Sequence, residues 1–129
     1  MTLFPARIDA ATLAVSDVER SATFYRDVMG FSEIWRSPEI VKFELQNCEL
    51  TLISREVLLE ETHLTAFAAG HAPVTFAVSV ARDDVDVIMK RLADAGVHVV
   101  AEAEDKRLGP RIGFVSDPDG HIWEVIEQY

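Results

Sequence analysis

The sequence predicts an α+β domain made of two βαβββ modules, and three observations carry that prediction. An apolar run at residues 8–15 leads into helical periodicity and a glycine stop, and the same order recurs over residues 74–96. Each copy then continues into three short strand-like runs. Landmarks in the two halves also align, with Met29-Gly30-Phe31 against Ala95-Gly96-Val97 and Leu50-Thr51-Leu52 against Trp123-Glu124-Val125. The loops between landmarks differ by a few residues, which marks an old structural repeat. A module of about 50 residues is too small to close a core alone. Each is expected to bury one sheet face under its own helix and to share the other, giving a cupped mixed sheet with a central cleft.

Taken in order, residues 8–15 read as a strand ending at Ser16 and Asp17. Ser16 and Glu19 have capping-box spacing, and Val18, Ala22, Tyr25 and Met29 recur at helical intervals until Gly30. Residues 31–36, 40–45 and 49–53 are strand-like, separated by Ser37-Pro38-Glu39 and Gln46-Asn47-Cys48. Residues 55–72 break the rhythm and read as a connector with one or two helical turns. In the second copy residues 74–80 form a strand, Asp83 or Asp84 caps a helix carrying Val85, Ile88, Met89 and Leu92, and Gly96 stops it. Three strands follow, at residues 97–103, 111–116 and 121–127. One domain, 1–129, thus contains module one at about 7–54, the connector at 55–72 and module two at 73–127.

Composition narrows the function classes. With 129 residues and 49% of them hydrophobic, the chain has ample material for a packed core. No apolar run approaches the roughly 18 residues a membrane span needs, and the N-terminus lacks a signal peptide's pattern. A cytoplasmic protein with no membrane partner is expected. Twelve Lys and Arg against 22 Asp and Glu give a formal charge of −10. Such a surface repels nucleic acid and concentrates cations. Cys48 is the single cysteine, which excludes an internal disulfide and a cysteine-cluster zinc site. No glycine-rich phosphate loop, HExxH arrangement or Ser-His-Asp ordering occurs.

The most informative stretch is Asp117-Pro118-Asp119-Gly120-His121-Ile122-Trp123-Glu124. Pro118 presets one turn position, Gly120 takes positive φ, and the aspartates bond back to the turn's amides. His121 is expected to face solvent or to brace the turn. In the strand that follows, alternation puts Trp123 and Val125 on one face and Ile122, Glu124 and Ile126 on the other. Glu124 therefore interrupts an apolar row. It is either an edge accident or a carboxylate kept for a ligand, a metal or a proton.

Leu13-Ala14-Val15-Ser16-Asp17, Tyr25-Arg26-Asp27-Val28-Met29-Gly30-Phe31, the repeat, and the Asp117 to Glu124 motif together resemble the vicinal oxygen chelate superfamily. That group includes glyoxalase I, bleomycin-resistance proteins, fosfomycin-resistance enzymes and extradiol dioxygenases. The resemblance covers residues 7–127 and implies paired βαβββ modules forming a cupped sheet. It also implies a His, Gln or Glu ligand on the first strand of each module and an acid on the last strand. In this sequence those positions are Ala10, Pro73, Thr51 and Glu124. Only Glu124 is a metal ligand, unless a shift of register by two brings His71 in place of Pro73. The expectation is no metal and no cofactor.

Alternation then describes the shared face. Thr12 and Ala14 run in phase with Ala10, and Thr75, Ala77 and Ser79 with Pro73, so small side chains and hydroxyls line the floor. Ala11, Leu13, Val15, Val74, Phe76, Val78 and Val80 are expected under the helices. The candidate ligand-binding residues are Thr12, Trp35, Phe43, Thr51, Thr75, Phe114 and Glu124. Arg36 and Arg111 are candidate counterions for an anionic ligand. Three readings compete. The first is a metal-free protein that binds a small cationic or aromatic compound, resembling bleomycin-resistance proteins. The second is a metal-dependent lyase, isomerase or dioxygenase of the same fold using Glu124, and the third is a non-catalytic dimeric regulatory or structural partner. The resemblance also implies a homodimer.

Overall fold

The structure is a computed structural model of the 129-residue chain and describes residues 6–63, 65, 75–106 and 109–128. The chain divides into two compact units, residues 1–67 and 68–129. Each holds one four-stranded mixed sheet with the same strand order. The α+β class and the doubled βαβββ pattern are as the sequence predicts.

In unit one, β1 (Ala10–Val15) leads into α1 (Val18–Thr23) and then β2 (Ser32–Arg36), β3 (Ile40–Glu44) and β4 (Glu49–Ser54). The sheet order is β1-β4-β3-β2, with β1 parallel to β4 and the other pairs antiparallel. Asp17, not Ser16, caps α1. Its side chain accepts the Arg20 amide at 3.0 Å, because Asp17 itself holds the extended cap conformation. The predicted helix continues to Gly30, but its last part, Phe24–Val28, is a π-helical turn closed by Met29 N–H donating to the Phe24 carbonyl at 3.1 Å. The wider turn accompanies an aromatic cluster. Tyr25 is wholly buried, stacked on Phe31 at 5.9 Å and 6.2 Å from Phe43. Gly30, at φ +76°, then reverses the chain. The start of the predicted connector forms α2 (Arg55–Thr62), directly after β4.

In unit two, β5 (Thr75–Val80), α3 (Arg82–Asp94), β6 (His98–Asp105), β7 (Arg111–Ser116) and β8 (Ile122–Glu127) repeat the plan, in the order β5-β8-β7-β6. Neither Asp83 nor Asp84 caps α3. The cap is Ala81, two residues before Asp83, and both carboxylates fall in the first turn of the helix, where its dipole favours them. Val85 and Met89 bury one face of α3 against β6, β7 and β8. Val78 on β5, expected beneath the helix, is left 43% exposed.

Most of the buried apolar side chains lie on the helix side of each sheet. Leu13, Val15, Val41, Phe43, Leu50 and Leu52 are buried in unit one, and Val115, Trp123 and Val125 in unit two. Each such side chain contributes roughly 1.5–3 kcal/mol on burial. Among the described residues no helix is long and apolar enough to cross a membrane.

Candidate functional site

Directly paired residues on neighbouring strands share a face, so strand register assigns the faces opposite the helices. In unit one a row runs Thr12, Thr51, Lys42, Trp35 across β1, β4, β3 and β2. In unit two the corresponding row is Ala77, Glu124, Phe114, Ala101 across β5, β8, β7 and β6. Six of the seven sequence-predicted residues lie on these open faces: Thr12, Trp35 and Thr51 in one unit, Thr75, Phe114 and Glu124 in the other. Phe43 does not. It alternates in phase with Val41, is fully buried against Tyr25, and belongs to the helix-side core. Its apolar neighbour two residues back was the signal for that face.

Glu124 is half-buried, and its Oε2 accepts the Thr75 hydroxyl at 2.6 Å. No arginine, lysine or histidine among the described residues pairs with it, so its charge meets one neutral donor. Phe114, directly opposite, carries the Lys106 ammonium over its ring at 5.5 Å, and Lys106 is itself held by Glu104. Trp35 is 51% exposed, with the Lys42 ammonium 5.7 Å from its ring centre. A bulge between Glu33 and Trp35 brings the indole onto the Lys42 row. Sequence reasoning missed Lys42. A single charge between Val41 and Phe43 was the readable sign that it faces away from the helix.

The candidate counterions are spent elsewhere. Arg36 pairs with Glu33 at 2.7 Å and Glu19 at 2.6 Å, and Arg111 with Asp86 at 2.9 Å and Asp105 at 3.3 Å. Arg36 holds the Glu33 carboxyl below its usual range, and Arg111 does the same for Asp105. Both networks lie on the helix side, since Arg36 stands opposite Val41, and Arg111 reaches Asp86 on α3. His121 braces the turn. Its Nδ1 lies 2.7 Å from Oδ2 of the buried Asp117, whose Oδ1 accepts the Asp119 and His121 amides at 2.9 and 2.8 Å.

The described donor set does not fit a divalent ion of the kind the fold family implies. Ala10 and Thr51 offer no anionic ligand, and Glu124 stands alone. No group of three or more His, Cys, Asp or Glu side chains comes together among the described residues. His71 and Pro73 lie outside those residues.

Two mixed sheets of this order, each backed by a helix and bearing polar groups on its open face, define a protein of the paired βαβββ class. The chain belongs to the Glyoxalase/Bleomycin resistance protein/Dioxygenase superfamily, which matches residues 7–125. It is 32% identical over 121 residues to a lactoylglutathione lyase of Salmonella typhimurium, covering 89% of this chain and 87% of that protein. An uncharacterized protein of Mycobacterium bovis is 31% identical over 121 residues, 88% of this chain and 78% of its own. The crystal structure of a glyoxalase-related enzyme from Fulvimarina pelagi superposes with a TM-score of 0.84 at 30% identity, covering 95% of this chain and 88% of that one.

Proposed function

We propose that the protein is a metal-independent small-molecule binder of the cytoplasm that takes up a cationic, planar compound, such as a toxic metabolite or antibiotic, at Glu124 on the open sheet face of unit two. The observation that carries this reading is Glu124. It is a half-buried carboxylate beside an aromatic ring, and no cation among the described residues pairs with it. A carboxylate so placed gains from a cationic ligand, because an ion pair is added to a hydrogen bond whose donor is neutral. The net charge of −10 draws such a ligand in. Ala77, Ser79 and Thr75 are small and exposed, leaving room above the sheet.

The name lactoylglutathione lyase borne by a relative at 32% identity supports the second reading, a metal-dependent enzyme. One pair of measurements decides between the two. Purified protein is analysed for Zn, Ni, Mn and Fe, and benzylammonium is titrated into wild type and Glu124→Gln. Less than stoichiometric metal is expected, together with a roughly 10- to 100-fold weaker cation affinity in the variant. Added salt is expected to weaken the wild-type binding. One equivalent of metal per chain, lost in Glu124→Ala, would establish the enzyme reading instead.

A further inference from the structure

The two corresponding rows carry opposite chemistry. Where unit two has Glu124 and Phe114, unit one has Thr51 and Lys42, with Thr12 on the near strand and Trp35 on the far one. We propose that the Thr12, Thr51, Lys42 row in unit one binds the carboxylate of a small aromatic acid.

Three observations converge on this site. In a chain with ten more acidic than basic side chains, Lys42 makes no ion pair with any described residue, whereas Arg26, Arg36, Arg82, Lys90 and Arg111 all do. Its ammonium lies instead over the Trp35 ring, 5.7 Å from the centre. Thr51 is buried to 9% exposure, and its hydroxyl makes no hydrogen bond to any described residue, in contrast to Thr75, which is committed to Glu124. No described side-chain oxygen is sealed from water without a partner, so the Thr51 hydroxyl keeps access to solvent and is free to donate to the acceptor a ligand brings. Thr12 stands directly opposite Thr51 on β1, exposed and equally unbonded among the described residues.

The row thus offers one ammonium and two hydroxyl donors to a single oxyanion, and it ends on a half-exposed indole. The neighbouring residues limit the charge that fits. Glu44 and Glu49 face each other across β3 and β4, two residues along from Lys42 and Thr51 on the same face. A doubly charged phosphate would be repelled by that pair. A monoanionic carboxylate, held by Lys42 and the two hydroxyls, is the better match, and a planar ring attached to it can lie along Trp35. The site lies in the other unit from Glu124 and does not depend on a cation binding there.

The test is a two-dimensional NMR titration with benzoate at fixed ionic strength, using benzamide as the neutral isostere. The indole N–H of Trp35 and the amides of Lys42 and Thr51 are expected to shift with benzoate, while buried Trp123 serves as the internal reference. Lys42→Met keeps the stem and removes the charge, and is expected to weaken benzoate at least tenfold. Thr51→Val is expected to weaken it roughly 3- to 10-fold, with Thr51→Ser restoring affinity to within about twofold. Equal binding of benzamide, wild-type affinity in Lys42→Met, or no shift with benzoate would each overturn the proposal. Benzoate reports on Lys42 and benzylammonium on Glu124, so either reading fails without the other.

Discussion

Gly113 on β7 packs against the thioether of Met89 on α3, and replacing it with alanine measures how tightly helix and sheet fit in unit two. A Cβ built on Gly113 would lie 2.6 Å from Met89 Sδ, 2.7 Å from Cε and 2.8 Å from Cγ. Comfortable contact is about 3.5–4.0 Å, so the methionine end must retreat by roughly 1 Å. Met89 is 4% exposed, which leaves little room for that retreat, although its flexible chain softens the clash. Overpacking of this kind costs about 1–3 kcal/mol. The backbone at Gly113 is one that alanine adopts freely, so the lower chain entropy of alanine returns about 0.5–1 kcal/mol. A net loss of up to about 2.5 kcal/mol is expected for Gly113→Ala. Met89→Ala alone should cost about 2–5 kcal/mol. In the double variant the new Cβ occupies the space the methionine has left, so the pair should be more stable than the sum by about 1–2 kcal/mol. Urea denaturation with unchanged m-value reads all four proteins. Additivity within about 0.5 kcal/mol would refute the account of a direct clash.

Asp117→Ala should destabilise by about 1–3 kcal/mol, since it strips two turn amides of their acceptor, whereas His121→Ala leaves those amides bonded and should cost less; chemical denaturation that reverses this order would refute the bracing role. Glu33 has a lowered pKa through Arg36, so its contribution to stability is present above the ordinary carboxylate range and is lost as pH falls through the folded value. In Arg36→Gln the Glu33 titration followed by NMR should move up toward the ordinary glutamate range, and the acid-side loss of stability should become shallower. Light scattering after size exclusion is expected to give about 29 kDa, twice the 14.4 kDa chain, while a mass near 14 kDa would exclude the dimer.

The sequence by itself determined the elements and the doubled plan. Apolar runs with period two, helical runs closed by Gly30 and Gly96, and the Asp117 turn are local signals, because turn chemistry and side-chain alternation are set by the backbone within a few residues. For the same reason the faces of β1 and β8 were legible: Leu13 with Val15 and Trp123 with Val125 announce the buried side, so Thr12 and Glu124 fall opposite. What required the tertiary structure was everything that depends on which strand lies beside which. Register put Lys42 between Thr51 and Trp35, and a bulge at Glu33 to Trp35, invisible in the residue pattern, turned the indole onto that row. The packing of α3 on β6 to β8 buries Val125, while Val78, one strand away, stays exposed. The same holds for charge. Arg36 and Arg111 look like free cations in the sequence, and beside Glu33 and Asp105, their partners nearer in the chain, the packed helices add Glu19 and Asp86. An ion pair between residues 17 or 25 positions apart is fixed by the packing of helix on sheet, which no local pattern encodes.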